Sequence, residues 1–255
     1  MLKTVPKARA SHHLAASFDV EIAGVATAVP PHRLSQEDAA RRAQSIFPHL
    51  AAHNSLFRNT GIEARYTCEP PEWYDQEHGW EARTEVFLRH ALTLIEEVAR
   101  GATNAAGIEL KDIGAIVVNT ITGLAIPSLD AKLMNRLALR PSVERLPIFG
   151  LGCGGGVAGL ARAARYAQVM PGAHVLFLTV DLCSLCFRVN DPSMAMFVSA
   201  ALFGDGAASA SCAIRTARNE ARARTGESSP RATISGGAPS TSWVGTSRRT
   251  ASEWC

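Results

Sequence analysis

The stretch Leu146-Pro147-Ile148-Phe149-Gly150-Leu151-Gly152-Cys153-Gly154-Gly155-Gly156-Val157-Ala158-Gly159-Leu160 decides the fold. An apolar run reaches a cysteine, glycines follow, and an alanine-rich segment continues toward Met170. That order reads as strand, tight turn, nucleophile, helix. Cys153 then sits at a helix N-terminus, where unpaired amides and the helix dipole favour a thiolate. Such placement lowers a thiol pKa and makes the sulfur a nucleophile at neutral pH. The neighbouring glycines admit a substrate close to the backbone, and their N–H groups suit an oxyanion. The competing reading is a buried structural cysteine beside a close-packed glycine turn. A phosphate cradle fits less well, because the stretch has neither the Gly-Lys-Ser/Thr ending of a P-loop nor the spacing of a dinucleotide fingerprint.

On either side of this stretch, helices and buried strands alternate. Upstream, Val20 to Val29 reads as a strand ended by Pro30-Pro31. Ser35 caps a helix through about Phe47, with Glu37 and Asp38 at its positive end. Ile62 to Cys68 reads as a short extended segment, and Trp73, Tyr74 and Trp80 as a packed surface loop. Glu81 to Ala106 carries an apolar stripe at helical spacing and ends at Gly107. Ile113 to Asn119 is a continuous apolar run, the kind buried on both faces of a layered sheet. Asp130 to Leu139 is a second helix between Pro127 and Pro141. Downstream, Pro171-Gly172 stops the helix that follows Cys153. His174 to Leu182 is another buried strand, and Gly204-Asp205-Gly206 reads as a tight turn. The fold class is therefore α/β, layered around a central sheet.

The totals narrow the function. The chain has 255 residues and a 47% apolar fraction, enough for a real core. A net charge of +3, without aromatic-basic interleaving, argues against nucleic acid as a partner. No apolar run is long enough to span a bilayer, so no membrane is expected. Six cysteines without a disulfide-framework spacing fit a reducing compartment, and the expected location is cytoplasmic. Residues 1–17 contain Lys3, Lys7 and Arg9 and read as a disordered extension.

Cys183 and Cys186 form a C-x-x-C pair. A zinc site wants a second pair, and none exists, so no metal is expected. A redox motif wants the pair at a helix start. Here the pair continues a strand, where positions three apart point to opposite faces, so both read as core or cavity-wall residues.

Several segments together resemble the type III polyketide synthases, the chalcone-synthase-like family, and its bacterial branch in particular. They are GVATAVPPHRLSQ near the start, FRNTGIEARY at 57–66, the long run from Thr122 to Tyr166, DLCSLCF at 181–187 and ALFGDGAA at 201–208. The resemblance implies the N-terminal half of a thiolase-like layered fold over 18–210. It implies that Cys153 accepts a starter acyl group from coenzyme A and that malonyl-CoA extends it. Acyl-CoA and malonyl-CoA are thus expected as substrates, with no resident cofactor. Phe203 corresponds to a gatekeeper that helps aim the malonyl unit. Thr120, Thr122, Asp181, Cys183, Ser184 and Cys186 fall on segments that line the family's polyketide cavity. Ile126 matches a position that reaches into the neighbouring subunit of a homodimer.

The chain also departs from that pattern. Ala52, Ser55 and Asn59 stand where plant members place coenzyme-A-binding cations, which leaves Arg58 and Arg65 as the nearest ones. No histidine matches the family's catalytic histidine, and its asparagine is likewise unmatched, so the carbanion-forming step loses its electrostatic support. From 211 to 255 the apolar patterning vanishes, as in a disordered or non-native tail. Residues 231–255, reverse-translated and read one base out of register, resemble the family's segment after the GDGAA strand. This predicts a reading-frame shift near Ser209–Ser211. The expected function is a type III polyketide synthase acyltransferase that is turnover-deficient in this form. The alternatives are a non-catalytic subunit pairing with an intact homologue, or a misfolded product that exposes apolar surface.

Overall fold

The computed structural model describes residues 19–214 and the backbone of 232–234. The expected N-terminal extension and most of the expected tail lie outside the described residues. The chain begins with strand β1 (Val20–Ala28) and a small hairpin pair, β2 (His32–Ser35) and β3 (Ala64–Thr67), separated by helices α1 (Gln36–Ile46) and α2 (Ser55–Asn59). Ser35 caps α1 as expected, its side chain accepting from the Asp38 amide. Helix α3 (Trp80–Ala106) ends at Gly107, which adopts the left-handed conformation that closes a helix.

Strand β4 (Ile113–Thr120), helix α4 (Leu129–Leu137), strand β5 (Glu144–Phe149), helix α5 (Gly155–Val169) and strand β6 (His174–Leu182) follow. The described chain closes with helix α6 (Met194–Leu202), strand β7 (Asp205–Ile214) and the short strand β8 (Ala232–Ile234). The main sheet has the order β5-β4-β6-β7-β1-β8. Its β5-β4-β6 part is parallel, and β7, β1 and β8 are joined antiparallel.

Both faces of this sheet are covered, which explains the continuous apolar strands. Ile116 and Val118 of β4, with Leu176, Leu178 and Val180 of β6, pack under α3 and α4. The alternate residues Ala115, Val117, Val175 and Phe177 join Ala163, Ala164 and Ala167 of α5 on the other face. A satellite cluster ties α1 and α2 to α6, with Phe197 edge-on to Phe47 and Phe57 at 5.9 and 5.5 Å.

Two expectations are corrected. Gly204-Asp205-Gly206 is not a tight turn: Asp205 and Gly206 are the first residues of β7. The tail does not begin at 211, because β7 continues to Ile214, paired with β1 and β6. Ser211 and Cys212 there are fully buried. The strand pairing at 232–234 also falls within the segment expected to be disordered.

Candidate active site

Because β4, β5 and β6 run parallel, their C-terminal ends share one edge of the sheet, where open α/β sheets bind their ligands. The antiparallel β7 begins at the same edge, with Asp205 opposite Leu182. Cys153 lies there too, on a 3-10 turn (Gly152–Gly154) between the end of β5 and the start of α5. Its side chain is unbridged and exposed, so the reading as a buried structural cysteine does not hold. The turn depends on glycine: Gly150 and Gly152 have φ of 86° and 57°, a region side chains avoid.

Helix α5 reaches the sheet through residues without side chains. A Cβ on Gly155 would stand 2.2 Å from the Asn119 side chain, and one on Gly159 would stand 2.2 Å from the Phe177 ring. Asn119 is itself held by donating to the Thr179 hydroxyl at 3.0 Å. These contacts fix the helix, and with it the height of the cysteine turn above the strands.

Three of the expected cavity residues come together at the ends of β4 and β6. Asp181 accepts from the Ile121 amide at 2.8 Å and from the Thr120 hydroxyl at 3.4 Å. The Thr122 hydroxyl accepts from the Leu182 amide at 2.8 Å. Burial raises the Asp181 pKa, although its donors from Ile121, Thr120 and Thr122 pull the other way.

The C-x-x-C pair corrects the sequence reading. Strand β6 stops at Leu182, and Cys183–Cys186 form a 3-10 turn. In such a turn side chains at i and i+3 follow the eclipsed 3-10 pattern, so the strand alternation that set the pair on opposite faces does not apply. Ser184, between them, does not present its hydroxyl to a substrate. Its Oγ donates to Asp205 Oδ2 at 2.5 Å and lies 2.7 Å from the Tyr74 hydroxyl. Since the serine proton goes to the carboxylate, Tyr74 is the donor to Ser184. Asp205 also accepts the amides of Ser184 (2.7 Å) and Cys68 (2.8 Å). Burial raises the Asp205 pKa against these donors and pushes the adjacent Cys68 thiol up to about 12. Sequence reasoning missed this network; Tyr74 looked like a loop aromatic, and nothing local marks Asp205 as the acceptor for three groups.

Phe203 is half-exposed at the same edge, between α6 and β7. It is placed by Arg65, which donates to the carbonyls of Ala201 (2.9 Å) and Phe203 (3.1 Å), to that of Ala200 and to the Gln36 side chain. Those carbonyls are the unpaired ones at the C-terminal end of α6. Arg65 is only 8% exposed, and burial lowers its pKa to about 10. Its Nη1 and Nη2 donors are taken up by this network, while Arg58, the other cation near that segment, is exposed on α2. Ile126 is 99% exposed.

Among the described residues, no group of His, Cys, Asp and Glu is arranged to hold a metal ion, and no helix is long and apolar enough to cross a membrane. Residues 53–214 match the family described as chalcone and stilbene synthases, N-terminal domain. The chain belongs to the chalcone and stilbene synthase family. It is 38% identical over 207 residues to a 1,3,6,8-tetrahydroxynaphthalene synthase of Streptomyces peucetius subsp. caesius, covering 80% of this chain and 55% of that protein. A putative chalcone synthase of Bacillus subtilis (strain 168) is 35% identical over 198 residues, covering 74% of this chain and 54% of that one. Among solved structures, the 1,3,6,8-tetrahydroxynaphthalene synthase of Streptomyces coelicolor A3(2), a bacterial type III polyketide synthase, superposes with a TM-score of 0.72 at 29% identity. That match covers 76% of this chain and 57% of the other. The thiolase-like layered fold is thus that of the type III polyketide synthases. The chain spans about half the length of the curated relatives it matches.

Proposed function

We propose that this chain is the acyl-loading half of a type III polyketide synthase and that Cys153 accepts an acyl group from an acyl-CoA. The observation that carries this reading is the exposed Cys153 thiol, on a glycine turn at the N-terminal end of α5, above the shared edge of β4, β5 and β6. The sulfur attacks the thioester carbonyl, an S–C bond forms, and the carbonyl oxygen takes negative charge near the positive end of the α5 dipole. The intermediate collapses, the coenzyme A sulfur leaves, and it carries away the proton given up by Cys153.

The enzyme class is that of an acyltransferase, and malonyl-CoA is the extender that would be decarboxylated in the complete reaction. Phe203 helps aim that unit, and Thr120, Thr122, Asp181, Cys183 and Cys186 line the space for the growing chain. These steps need coenzyme A thioesters and no resident cofactor. The reading covers the loading step; the histidine and asparagine that drive decarboxylation in the family have no match among these residues. The full exposure of Ile126 supports its role as a contact between two subunits of a homodimer. The unbridged cysteines suit the cytoplasm.

The test is to incubate the protein with hexanoyl-CoA and weigh it intact, then map the adduct. We expect one acyl group on the peptide containing Cys153, absent in Cys153→Ala. A folded protein that gains no adduct, or gains it on Cys183 or Cys186 instead, overturns the assignment.

A further inference from the structure

We propose that Cys183 and Cys186 are a redox-active dithiol that closes to a disulfide within the wall of the active site, separately from acyl loading at Cys153. The 3-10 turn advances about 2 Å per residue, so the two Cα atoms lie about 6 Å apart, with the side chains eclipsed. Disulfides bridge Cα atoms about 4.4–6.8 Å apart. The backbone separation falls within that range, and closing the bond requires the two side chains to converge until their Cβ atoms are about 3.5–4.5 Å apart.

The turn is also held in place from three sides. The Ser184 amide donates to Asp205 at 2.7 Å, and the Leu182 amide donates to Thr122 at 2.8 Å. Arg83 donates to the Leu185 carbonyl at 2.6 Å. Ordering a pair of thiols before they react favours the bond between them over bonds to outside partners.

The two thiols differ in exposure, which sets the order in which an oxidant reaches them. Cys186 is exposed, and it opens onto a cavity of about 150 Å3 walled by Trp80, Arg83, Phe87, Thr122 and Arg188. Cys183 is half-buried. Arg188 and Arg83 draw the Cys186 thiol toward its anion, although burial outweighs them; burial pushes Cys183 up to about 12. Thiols that are not stabilised as thiolates make a disulfide that is hard to reduce, the reverse of strongly oxidising C-x-x-C pairs.

The oxidant is a hydroperoxide. The Cys186 sulfur attacks the terminal peroxide oxygen; an S–O bond forms, the O–O bond breaks, and the alcohol leaves with the thiol proton. The Cys183 sulfur then attacks the sulfenic sulfur; an S–S bond forms, the S–O bond breaks, and hydroxide leaves with the second proton as water. Two thiols lose two electrons, and the hydroperoxide gains them.

The experiment treats the protein in the Cys153→Ser background with one equivalent of hydrogen peroxide and maps its peptides without reduction. The expected result is a loss of 2 Da in the peptide spanning Cys183 and Cys186, abolished by Cys186→Ser and by Cys186→Ala. Equilibration in glutathione buffers provides a second readout. The native pair should reach half-oxidation at a ratio of the square of the reduced glutathione concentration to that of oxidised glutathione at least about tenfold higher than the urea-unfolded chain. An equal or lower ratio in the native protein overturns the proposal. So does oxidation of Cys186 to sulfinic acid without the 2 Da loss, or a bond from Cys153 to Cys183 in the unsubstituted chain. Because Cys153 is absent from the principal test, failure here leaves the acyl-loading result unaffected.

Discussion

The Arg65 guanidinium donates to the carbonyl of Phe203 at 3.1 Å while it also caps the carbonyls of Ala200 and Ala201. A buried cation thus closes a helix from inside and sets the residue that borders the site. Arg65→Met keeps comparable volume and removes the donors to the carbonyls of Ala200 and Phe203 and to the Gln36 side-chain oxygen, while Gln36 still donates to Ala201 at 3.0 Å. We expect a loss of about 3 kcal/mol, read as a lower urea midpoint. An unchanged midpoint would show that water satisfies those carbonyls.

Asp205 gathers the Ser184 hydroxyl and the amides of Ser184 and Cys68. An amide at that position keeps one acceptor oxygen and turns the other into a donor facing donors. Asp205→Asn is therefore expected to cost about 2–4 kcal/mol, and Ser184→Ala about 1–2 kcal/mol. Chemical denaturation of both single variants and the double variant checks this. The pair shares one network, so the double variant should lose less than the sum.

Helix α5 rests on Gly159, whose missing side chain leaves room for Phe177. Gly159→Ala places a methyl 2.2 Å from that ring, and one of the two must move. The expected cost is about 1–3 kcal/mol, with slower acylation of Cys153 because the turn rides on the helix. Combining it with Phe177→Leu should recover part of both losses. Recovery of stability without recovery of acylation would separate packing from placement.

His174 lies beside Ser211, with its Nδ1 3.0 Å from the Ser211 hydroxyl. Burial lowers its pKa from the ordinary value of 6.5, against an opposing pull from Asp112. A histidine whose folded pKa is depressed stabilises the fold fully above its unfolded pKa. That contribution falls away as pH drops from about 6.5 toward the folded value, because the unfolded chain binds the proton more readily. Urea midpoints measured from pH 7.5 down to 5.5 should therefore decline, and His174→Gln should flatten the decline. A midpoint that rises on acidification would contradict this.

The elements legible in the sequence were those with a period and a cap. Ser35 ahead of Asp38, the stripe along Glu81–Ala106 ending at Gly107, and the apolar runs at 113–119 and 174–182 all fold as their patterns predict. The Cys153 turn was legible because glycines around an apolar strand end leave few other structures. Helix α6 was not, since Met194–Leu202 is apolar or small at almost every position and shows no face. Its one signal was Ser193 after Asp191-Pro192, which caps the helix by accepting the Met196 amide at 3.2 Å. Strand β7 hid for the opposite reason: alanines and serines pair well between neighbours but carry little β-preference of their own. The role of Arg65 and the Tyr74–Ser184 link depend on contacts between segments more than a hundred residues apart, and the Ser184–Asp205 bond joins positions 21 apart, none of which a local pattern encodes.

The position of β1 in the sheet bears on how the chain is made. Among the described strands it leaves the ribosome first, yet its hydrogen-bonding partners come from the far end of the described chain. β1 ends at Ala28, and β7 begins only at Asp205. At about 5–20 residues added per second, β1 waits on the order of 10–35 s with both edges unpaired. During that interval α3 and the parallel strands can assemble without it. A nascent-chain-binding chaperone, rather than the native sheet, is the natural first partner of Val20–Ala28.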